Sequence, residues 1–243
     1  MSKRARARYP EPMPTTLITG SNRGLGLELA RQYAKAGWRV HATCRNPAAA
    51  ADLAAAAAEH DGRVAVHRLD VIRPDEIAAV AAAIGREPID LLLLNAGVHE
   101  RTKRGFGETD YGEWAALHAI NTMAALRLTE AFVENVARSE RKTIVAFSTI
   151  IASIARNVTG RRYLYGSTKC ALNYVVKSLS IDLRDRGITV IALHPGWVAT
   201  DMGGPEAPLT PAESVAAIRW LVASLGPESS GRFLRYDGET LPW

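Results

Sequence analysis

A phenol and a primary amine lie four residues apart in the segment Tyr165-Gly166-Ser167-Thr168-Lys169. Residues separated by four positions share one face of a helix, so the two groups would be neighbours there. A nearby ammonium favours the phenolate and lowers the pKa of a tyrosine toward neutrality. A tyrosine tuned in this way can exchange a proton with a carbonyl/alcohol pair. The alternative is an ordinary surface tyrosine beside a lysine, and the rest of the chain must distinguish the two.

A glycine-rich turn follows the short β-branched run at residues 15–19. Its sequence is Thr19-Gly20-Ser21-Asn22-Arg23-Gly24-Leu25-Gly26, and it leads into apolar residues at helical spacing. Between a strand and a helix, glycines let the backbone approach a phosphate, and the helix N-terminus offers it free N–H groups. The pattern predicts a dinucleotide site, with a simple tight turn as the alternative.

The second predicted strand, residues 38–44, ends without the carboxylate that would bind a ribose 2′-hydroxyl. Arg45 follows this strand instead, and Arg23 lies in the glycine-rich turn. Two guanidinium groups suit a 2′-phosphate, which favours NADP(H) over NAD(H) as the cofactor. Two unrelated surface arginines are the alternative.

Two further predicted strands end in residues that could contact a nucleotide. Asp70 and Val71 follow the third strand, where Asp70 could bind an adenine amino group or act as the N-cap of the next helix. Asn95-Ala96-Gly97 follows a continuous apolar run at residues 89–94, which is typical of a strand buried on both faces. Its small residues would let the backbone approach a nicotinamide ribose.

The second half of the chain adds three more candidates. Asn121 interrupts a helical pattern over residues 112–138, where it either faces solvent or holds a water in a proton path. Ser148-Thr149 ends the next strand. Pro195-Gly196, with Val198 after it, ends the buried strand at residues 188–193.

The alternation of strands and helices predicts a doubly wound α/β fold of about seven parallel strands. We expect one Rossmann-type domain over residues 15–243, preceded by a flexible basic tail over residues 1–14. Most of the net charge of +5 lies in that tail. The nearly neutral body argues against a nucleic-acid surface spread over the fold.

Composition excludes several other classes of protein. The chain of 243 residues is 47% hydrophobic, has two cysteines and contains no apolar run long enough to cross a membrane. Its histidines have no metal-binding spacing, so we expect no metal site. Without a signal peptide pattern, the sequence indicates a cytoplasmic protein that binds neither membrane nor nucleic acid.

Taken together and in this order, the motifs resemble the short-chain dehydrogenase/reductase family over roughly residues 15–243. Within it, the chain is similar to the C-factor/sniffer-type carbonyl reductases. That narrower likeness is carried by Ala42-Thr43-Cys44-Arg45-Asn46-Pro47, the segment from Pro195 to Gly204, and the ending Tyr236-Asp237-Gly238 to Leu241-Pro242-Trp243.

The resemblance implies a role for each matching position. Tyr165 would be the acid/base, Lys169 would bind the nicotinamide ribose and lower the pKa of Tyr165, and Asn121 would anchor a water. Arg23 and Arg45 would bind the 2′-phosphate. The other implied cofactor contacts are Gly20, Asn22, Gly24, Leu25, Gly26, Asp70, Val71, Asn95, Ala96, Gly97, Pro195, Gly196 and Val198.

One position departs from the family pattern. The family has a serine after the fifth strand, and Thr149 stands there, with Ser148 before it. Threonine offers the same hydroxyl, but its methyl group restricts χ1. Counting back from Tyr165 by the common family spacing reaches Ala152 and Ser153 instead.

The sequence therefore indicates an NADP(H)-dependent oxidoreductase that transfers hydride between nicotinamide and a small carbonyl or alcohol substrate. The direction of the reaction stays open. The alternative is a C-factor-like signalling or interaction protein that binds the cofactor with little turnover. The resemblance also implies a homodimer or homotetramer.

Overall fold

A computed structural model of the chain describes residues 13–60, 62–100 and 105–243. Its strands are β1 (Thr15–Thr19), β2 (Arg39–Cys44), β3 (Val64–Arg68), β4 (Leu91–Leu94), β5 (Thr143–Phe147), β6 (Thr189–His194) and β7 (Phe233–Arg235). They form a single parallel sheet in the order β3-β2-β1-β4-β5-β6-β7. The predicted doubly wound fold of about seven strands is confirmed.

Helices cover both faces of this sheet. The α-helices are α1 (Gly24–Lys35), α2 (Ala51–Ala58), α3 (Pro74–Ile84), α4 (Tyr111–His118), α5 (Ala124–Arg138), α6 (Tyr163–Asp182) and α7 (Pro211–Ala223). A reciprocal capping box begins α7, because the Thr210 side chain accepts from the Glu213 N–H and the Glu213 side chain accepts from the Thr210 N–H. No helix among the described residues is long and apolar enough to cross a membrane.

Two hydrophobic cores lie on opposite faces of the sheet, since successive strand residues point to opposite sides. Leu17 packs with the α3, α5 and α6 side, whereas Ile18 packs with the α1, α2 and α7 side. Both are fully buried. Burial on both faces explains why the central strands read as continuous apolar runs rather than alternating ones.

The order of the strands reverses between β1 and β4. From β1 the chain moves outward to β3, and it then returns to place β4 on the other side of β1. The loops after these two strands therefore diverge, which leaves a crevice at their carboxyl ends. Most of the sequence-predicted site segments follow a strand at this edge, whereas Asn121 lies between α4 and α5 and Tyr165 and Lys169 lie in the first two turns of α6.

One predicted helix differs in the structure. The long helix expected over residues 112–138 is divided by a π turn at Ala119–Met123 between α4 and α5. Directly before β1, the Pro14 carbonyl accepts a hydrogen bond of 2.9 Å from the Arg39 N–H. Residues 1–12, most of the predicted tail, lie outside the described residues.

Candidate active site

The turn after β1 leaves no room for a side chain at position 26. A Cβ atom at Gly26 would lie 2.0 Å from the Gly20 carbonyl oxygen. The helix α1 begins at Gly24, its N-cap residue Arg23 makes no side-chain cap, and no acidic residue occupies its first turn. The first N–H groups and the positive end of the helix dipole are therefore available to an anion such as a pyrophosphate.

The predicted cationic residues lie where the turn meets β2. The Ser21 N–H donates to the Thr43 carbonyl at 2.8 Å, which ties the turn to the end of that strand. Arg45 is exposed two residues later. Arg23 is also exposed and forms an ion pair of 2.7 Å with Asp201, a partner that sequence reasoning missed. Two guanidinium groups at this position fit a dianionic phosphate.

Asp70 follows β3, but it does not cap the next helix. The N-cap of α3 is Arg73, and no side chain caps it. The Asp70 carboxylate instead accepts a bond of 3.3 Å from the Ile72 N–H in a local turn. The N-cap alternative is therefore wrong, because the chain makes this turn before α3 begins. An adenine contact remains a prediction.

The residues after β4 connect the nucleotide turn to the α6 helix. The Asn95 amide donates to the Thr19 carbonyl at 2.9 Å and to the Gly20 carbonyl at 3.2 Å. The Ala96 N–H donates to the Thr19 hydroxyl at 3.0 Å. At Gly97, a Cβ atom would lie 3.3 Å from Lys169 Nζ. A side chain at this position would press on the lysine, so the glycine keeps the two segments close.

Asn121 lies in the π turn and is buried. Its amide group binds both backbone groups of Val98, accepting from the N–H at 2.9 Å and donating to the carbonyl at 2.8 Å. It also donates to the Thr168 hydroxyl at 3.0 Å. An asparagine in a helix interior is thus explained by a π turn, a feature often found at functional sites. Thr168 is a positioning residue that sequence reasoning missed.

Lys169 is buried, and its Nζ atom donates to the Phe147 carbonyl at 2.7 Å. Burial lowers the pKa of this lysine to about 8, because a charge is harder to hold away from water. A small cavity of about 10 Å³ is lined by Lys169, Asn121 and Thr19, together with Val71 and apolar residues of β4 and α5. Its volume suits about one water molecule.

Tyr165 lies one helical turn before Lys169 on α6. The pKa of its phenol shifts in the direction opposite to the prediction. Burial raises the pKa of the phenol to about 12, and the Glu100 carboxylate raises it further, while the Arg162 guanidinium opposes them. The expected lowering toward neutrality is therefore wrong for this structure. The pKa rises because burial and the Glu100 charge outweigh the Arg162 guanidinium, while the Lys169 amine donates to a backbone carbonyl.

Three hydroxyl groups are candidates for the role of the serine that the family has after the fifth strand. Ser148 donates to the Asn173 side chain at 2.6 Å, and Ser153 donates to the Trp243 carbonyl at 3.2 Å. Thr149 caps a short 3₁₀ turn by accepting a bond of 3.4 Å from the Ile151 N–H. Among the described residues, only the Thr149 hydroxyl of these three has no acceptor for its own proton. The geometry therefore favours Thr149 as the donor to a substrate.

The segment after β6 closes the other side of the crevice. Gly196 packs so tightly that a Cβ atom would lie 2.5 Å from the Leu209 side chain. The Pro195 carbonyl accepts a bond of 2.7 Å from the Ser214 hydroxyl, and buried Val198 forms a β-bridge with Leu209. Trp197 is half exposed, and its indole N–H donates to the Gly203 carbonyl. It therefore does not pack into the core.

Sequence reasoning also missed a buried acid beside the tyrosine. Glu100 follows the Asn95-Ala96-Gly97 segment, where the sequence shows no pattern that marks a site. In the structure it is 8% exposed and its Oε2 atom has no hydrogen-bond partner among the described residues. No local pattern marks it, because its burial depends on the neighbours that the fold supplies. The residues that the structure describes contain no cluster of three or more His, Cys, Asp and Glu side chains that could hold a metal.

Comparison with known proteins agrees with this architecture. Residues 14–208 match the model of the short chain dehydrogenase family. The chain is 38% identical over 165 residues to the C-signal protein of Myxococcus xanthus, which covers 68% of this chain and 99% of the relative. The family-model match includes the nucleotide turn and the segment with Tyr165 and Lys169.

Solved structures extend the likeness to nearly the whole chain. The carbonyl reductase Sniffer of D. melanogaster superposes with a TM-score of 0.88 at 32% identity, covering 96% of this chain and 100% of the other. A carbonyl reductase from Pseudomonas aeruginosa PAO1 in complex with NADP gives 0.86 at 33% identity, with 96% and 100% covered. The chain belongs to the short-chain dehydrogenase family.

Proposed function

We propose that this oxidoreductase uses NADPH to reduce aldehydes or ketones, with Tyr165 as the proton donor. The observation that carries the proposal is the junction at Gly97. There the backbone leading from the nucleotide turn lies within contact of Lys169, one helical turn after Tyr165. A cofactor in the turn and a substrate at the tyrosine would then share one crevice. The bound NADPH and NADP of similar carbonyl reductase structures support the choice of cofactor.

The residues that would hold NADP(H) form a continuous path along the crevice. The glycine turn and the N-terminus of α1 would bind the pyrophosphate, and Arg23 with Arg45 would bind the 2′-phosphate. The adenine and nicotinamide ends would contact Asp70, Val71, Asn95, Ala96, Gly97, Pro195, Gly196 and Val198. When bound, the reduced cofactor supplies the hydride for the carbonyl carbon.

Tyr165 suits the role of an acid. With a pKa of about 12, its phenol is protonated at neutral pH and can donate to the carbonyl oxygen as negative charge develops there. The Thr149 hydroxyl would donate a second hydrogen bond to the same oxygen. Alcohol oxidation would instead use the phenolate as the base.

Lys169 and Asn121 would replace the proton that Tyr165 gives away. A lysine with a pKa of about 8 is mostly charged at neutral pH and can bind ribose hydroxyls. The cavity that it shares with Asn121 could hold one ordered water, which would connect this region to solvent. We therefore assign Asn121 as a residue that positions both Val98 and that water.

Replacing Tyr165 tests this assignment directly. We expect Tyr165→Phe to lower kcat for aldehyde reduction by about 100-fold or more, because a positioned acid contributes roughly that factor. NADPH binding, measured by fluorescence titration, should be retained. Tyr174→Phe is the matched control, since Tyr174 lies on the same helix and is 77% exposed. Unchanged turnover in Tyr165→Phe would contradict the proposal.

A second function is favoured by the likeness to C-signal and by Thr149 at the usual serine position. In this case the chain would bind the cofactor as a signalling or interaction protein with little turnover. Tight NADPH binding without cofactor oxidation across a panel of aldehydes and ketones would support it. Oxidation of NADPH with any of these substrates would favour the reductase.

We also propose a homodimer or homotetramer built through the long helices. Apolar side chains are exposed on α5 and α6, where Leu126 is 38%, Tyr174 77% and Ile181 52% exposed. Light scattering of the purified protein would give the number of subunits. A monomer at micromolar concentration would contradict this proposal. A cytoplasmic location is likewise a proposal, which fractionation of cells would test.

A further inference from the structure

A buried carboxylate lies near the proposed proton donor and has no role in the chemistry above. Glu100 is 8% exposed, and its Oε2 atom is buried without a hydrogen-bond partner among the residues described. Such an oxygen has lost water without gaining a donor, which is unfavourable. A donor from a ligand would satisfy this acceptor.

The backbone that leads to Glu100 is held at the edge of the crevice. Asn121 binds both backbone groups of Val98, and Gly97 lies against the Lys169 amine. Glu100 follows two residues after Val98. Its charge raises the pKa of Tyr165, so the carboxylate interacts electrostatically with the phenol that would contact the substrate oxygen. Arg162, the cation that opposes this effect, is exposed and makes no ion pair with Glu100 within the described part of the chain.

We propose that Glu100 is a specificity-determining residue that binds a cationic N–H group on the carbonyl substrate. This inference rests on the proposed reductase function. A protonated amine would give the unpaired oxygen both a donor and a compensating charge, whereas a substrate carboxylate would be repelled. The substrate class is therefore aldehydes and ketones that carry an amino group near the carbonyl.

Three substituted benzaldehydes distinguish the effect of substrate charge from the effect of substrate shape. The compound 4-[(dimethylamino)methyl]benzaldehyde is cationic at neutral pH, 4-isobutylbenzaldehyde has the same shape without the charge, and 4-formylbenzoate is anionic. With the wild-type protein and NADPH, we expect kcat/KM to decrease in that order. The amine should exceed its isobutyl counterpart by about tenfold or more, as expected for a partly buried charge pair. This comparison needs no variant, so it stands even if a substitution impairs folding.

The Glu100→Gln variant tests the residue itself. It removes the charge and keeps the size of the side chain, so we expect the amine-to-isobutyl ratio of kcat/KM to fall toward one. Any effect of the substitution on Tyr165 acts on both substrates and cancels in the ratio. Glu108→Gln is the matched control, because Glu108 is an exposed acid of the same loop that accepts from the Gly105 N–H. It should keep the wild-type ratio.

The outcomes distinguish this inference from the function on which it rests. Reduction of 4-isobutylbenzaldehyde with no preference for the amine would overturn the role of Glu100 and leave the reductase intact. A preference that survives in Glu100→Gln would also overturn it. If NADPH reduces none of the three compounds, the proposed function fails and the assignment of Glu100 fails with it.

Discussion

Burial has opposite consequences for the two ionisable residues of α6. It raises the pKa of Tyr165 to about 12 and lowers that of Lys169 to about 8, because each group loses water that would stabilise its charged form. The tyrosine is thereby kept as an acid. The Lys169 amine, in contrast, is mostly charged at neutral pH although it is buried away from water. A buried charge of this kind lowers the stability of the fold.

Lys169→Met should therefore stabilise the fold while abolishing reduction. At pH 7 we expect the free energy of unfolding to increase by about 1 to 2 kcal/mol, since a buried charge is replaced by an apolar chain of similar length. Denaturant unfolding followed by circular dichroism would measure it. Lys177→Met, a change on the same helix outside the site, provides the control. A less stable Lys169→Met protein would contradict the expectation.

The pH dependence of the free energy of unfolding tests the lowered pKa of Lys169 independently. The folded-state pKa of Lys169, about 8, lies below its ordinary value of 10.5, so the unfolded chain binds more protons between these two values. The free energy of unfolding should therefore contain a contribution that increases from about pH 8 to about pH 10.5. This contribution should vanish in Lys169→Met. A wild-type curve that runs parallel to that of the variant would exclude a depressed lysine pKa.

At the scale of elements, the features that the sequence could not predict are a π turn and the side-chain contacts in the loops at the sheet edge. The strand ends, the glycine turn and the helix with Tyr165 follow from local patterns, and the structure has them where those patterns indicate. The π turn at Asn121 does not follow, because its cause is the distant pairing with Val98 and Thr168. The competition among Thr149, Ser148 and Ser153 likewise depends on acceptors supplied by remote segments.

The loop after β6 makes a contact that bears on cofactor affinity. Asp201 pairs with Arg23, one of the two cations proposed for the 2′-phosphate. Because both side chains are exposed, the pair contributes at most about 1 kcal/mol and can exchange for a phosphate. The acid nevertheless competes with the cofactor for the same guanidinium group.

Asp201→Asn should therefore tighten NADPH binding. We expect the Kd to fall by up to about fivefold, the factor that corresponds to an exposed ion pair. NADH should be nearly unaffected, because it lacks the 2′-phosphate. Fluorescence titration with both cofactors would measure this difference. Glu206→Gln, a nearby exposed acid of the same loop, controls for the general change in charge, and equal tightening of NADH would contradict the assignment.

At the scale of the whole molecule, the reversal of strand order between β1 and β4 brings the parts of the site together. Segments from six places in the sequence meet at the carboxyl edge of one parallel sheet. The doubly wound fold class could be predicted from alternating patterns, since parallel strands and right-handed crossovers leave few arrangements. The substrate pocket could not, because Glu100 and Thr149 acquire their surroundings only from the assembled fold.

The central claim is that this crevice transfers hydride from NADPH to a carbonyl carbon while Tyr165 supplies the proton. It is tested most directly by incubating the purified protein with 4-isobutylbenzaldehyde and NADPH deuterated at the nicotinamide C4 position. The account predicts an alcohol with deuterium on its carbinol carbon, formed at least about 100-fold more slowly by Tyr165→Phe. Cofactor binding without labelled alcohol, or equal rates in both proteins, would contradict it.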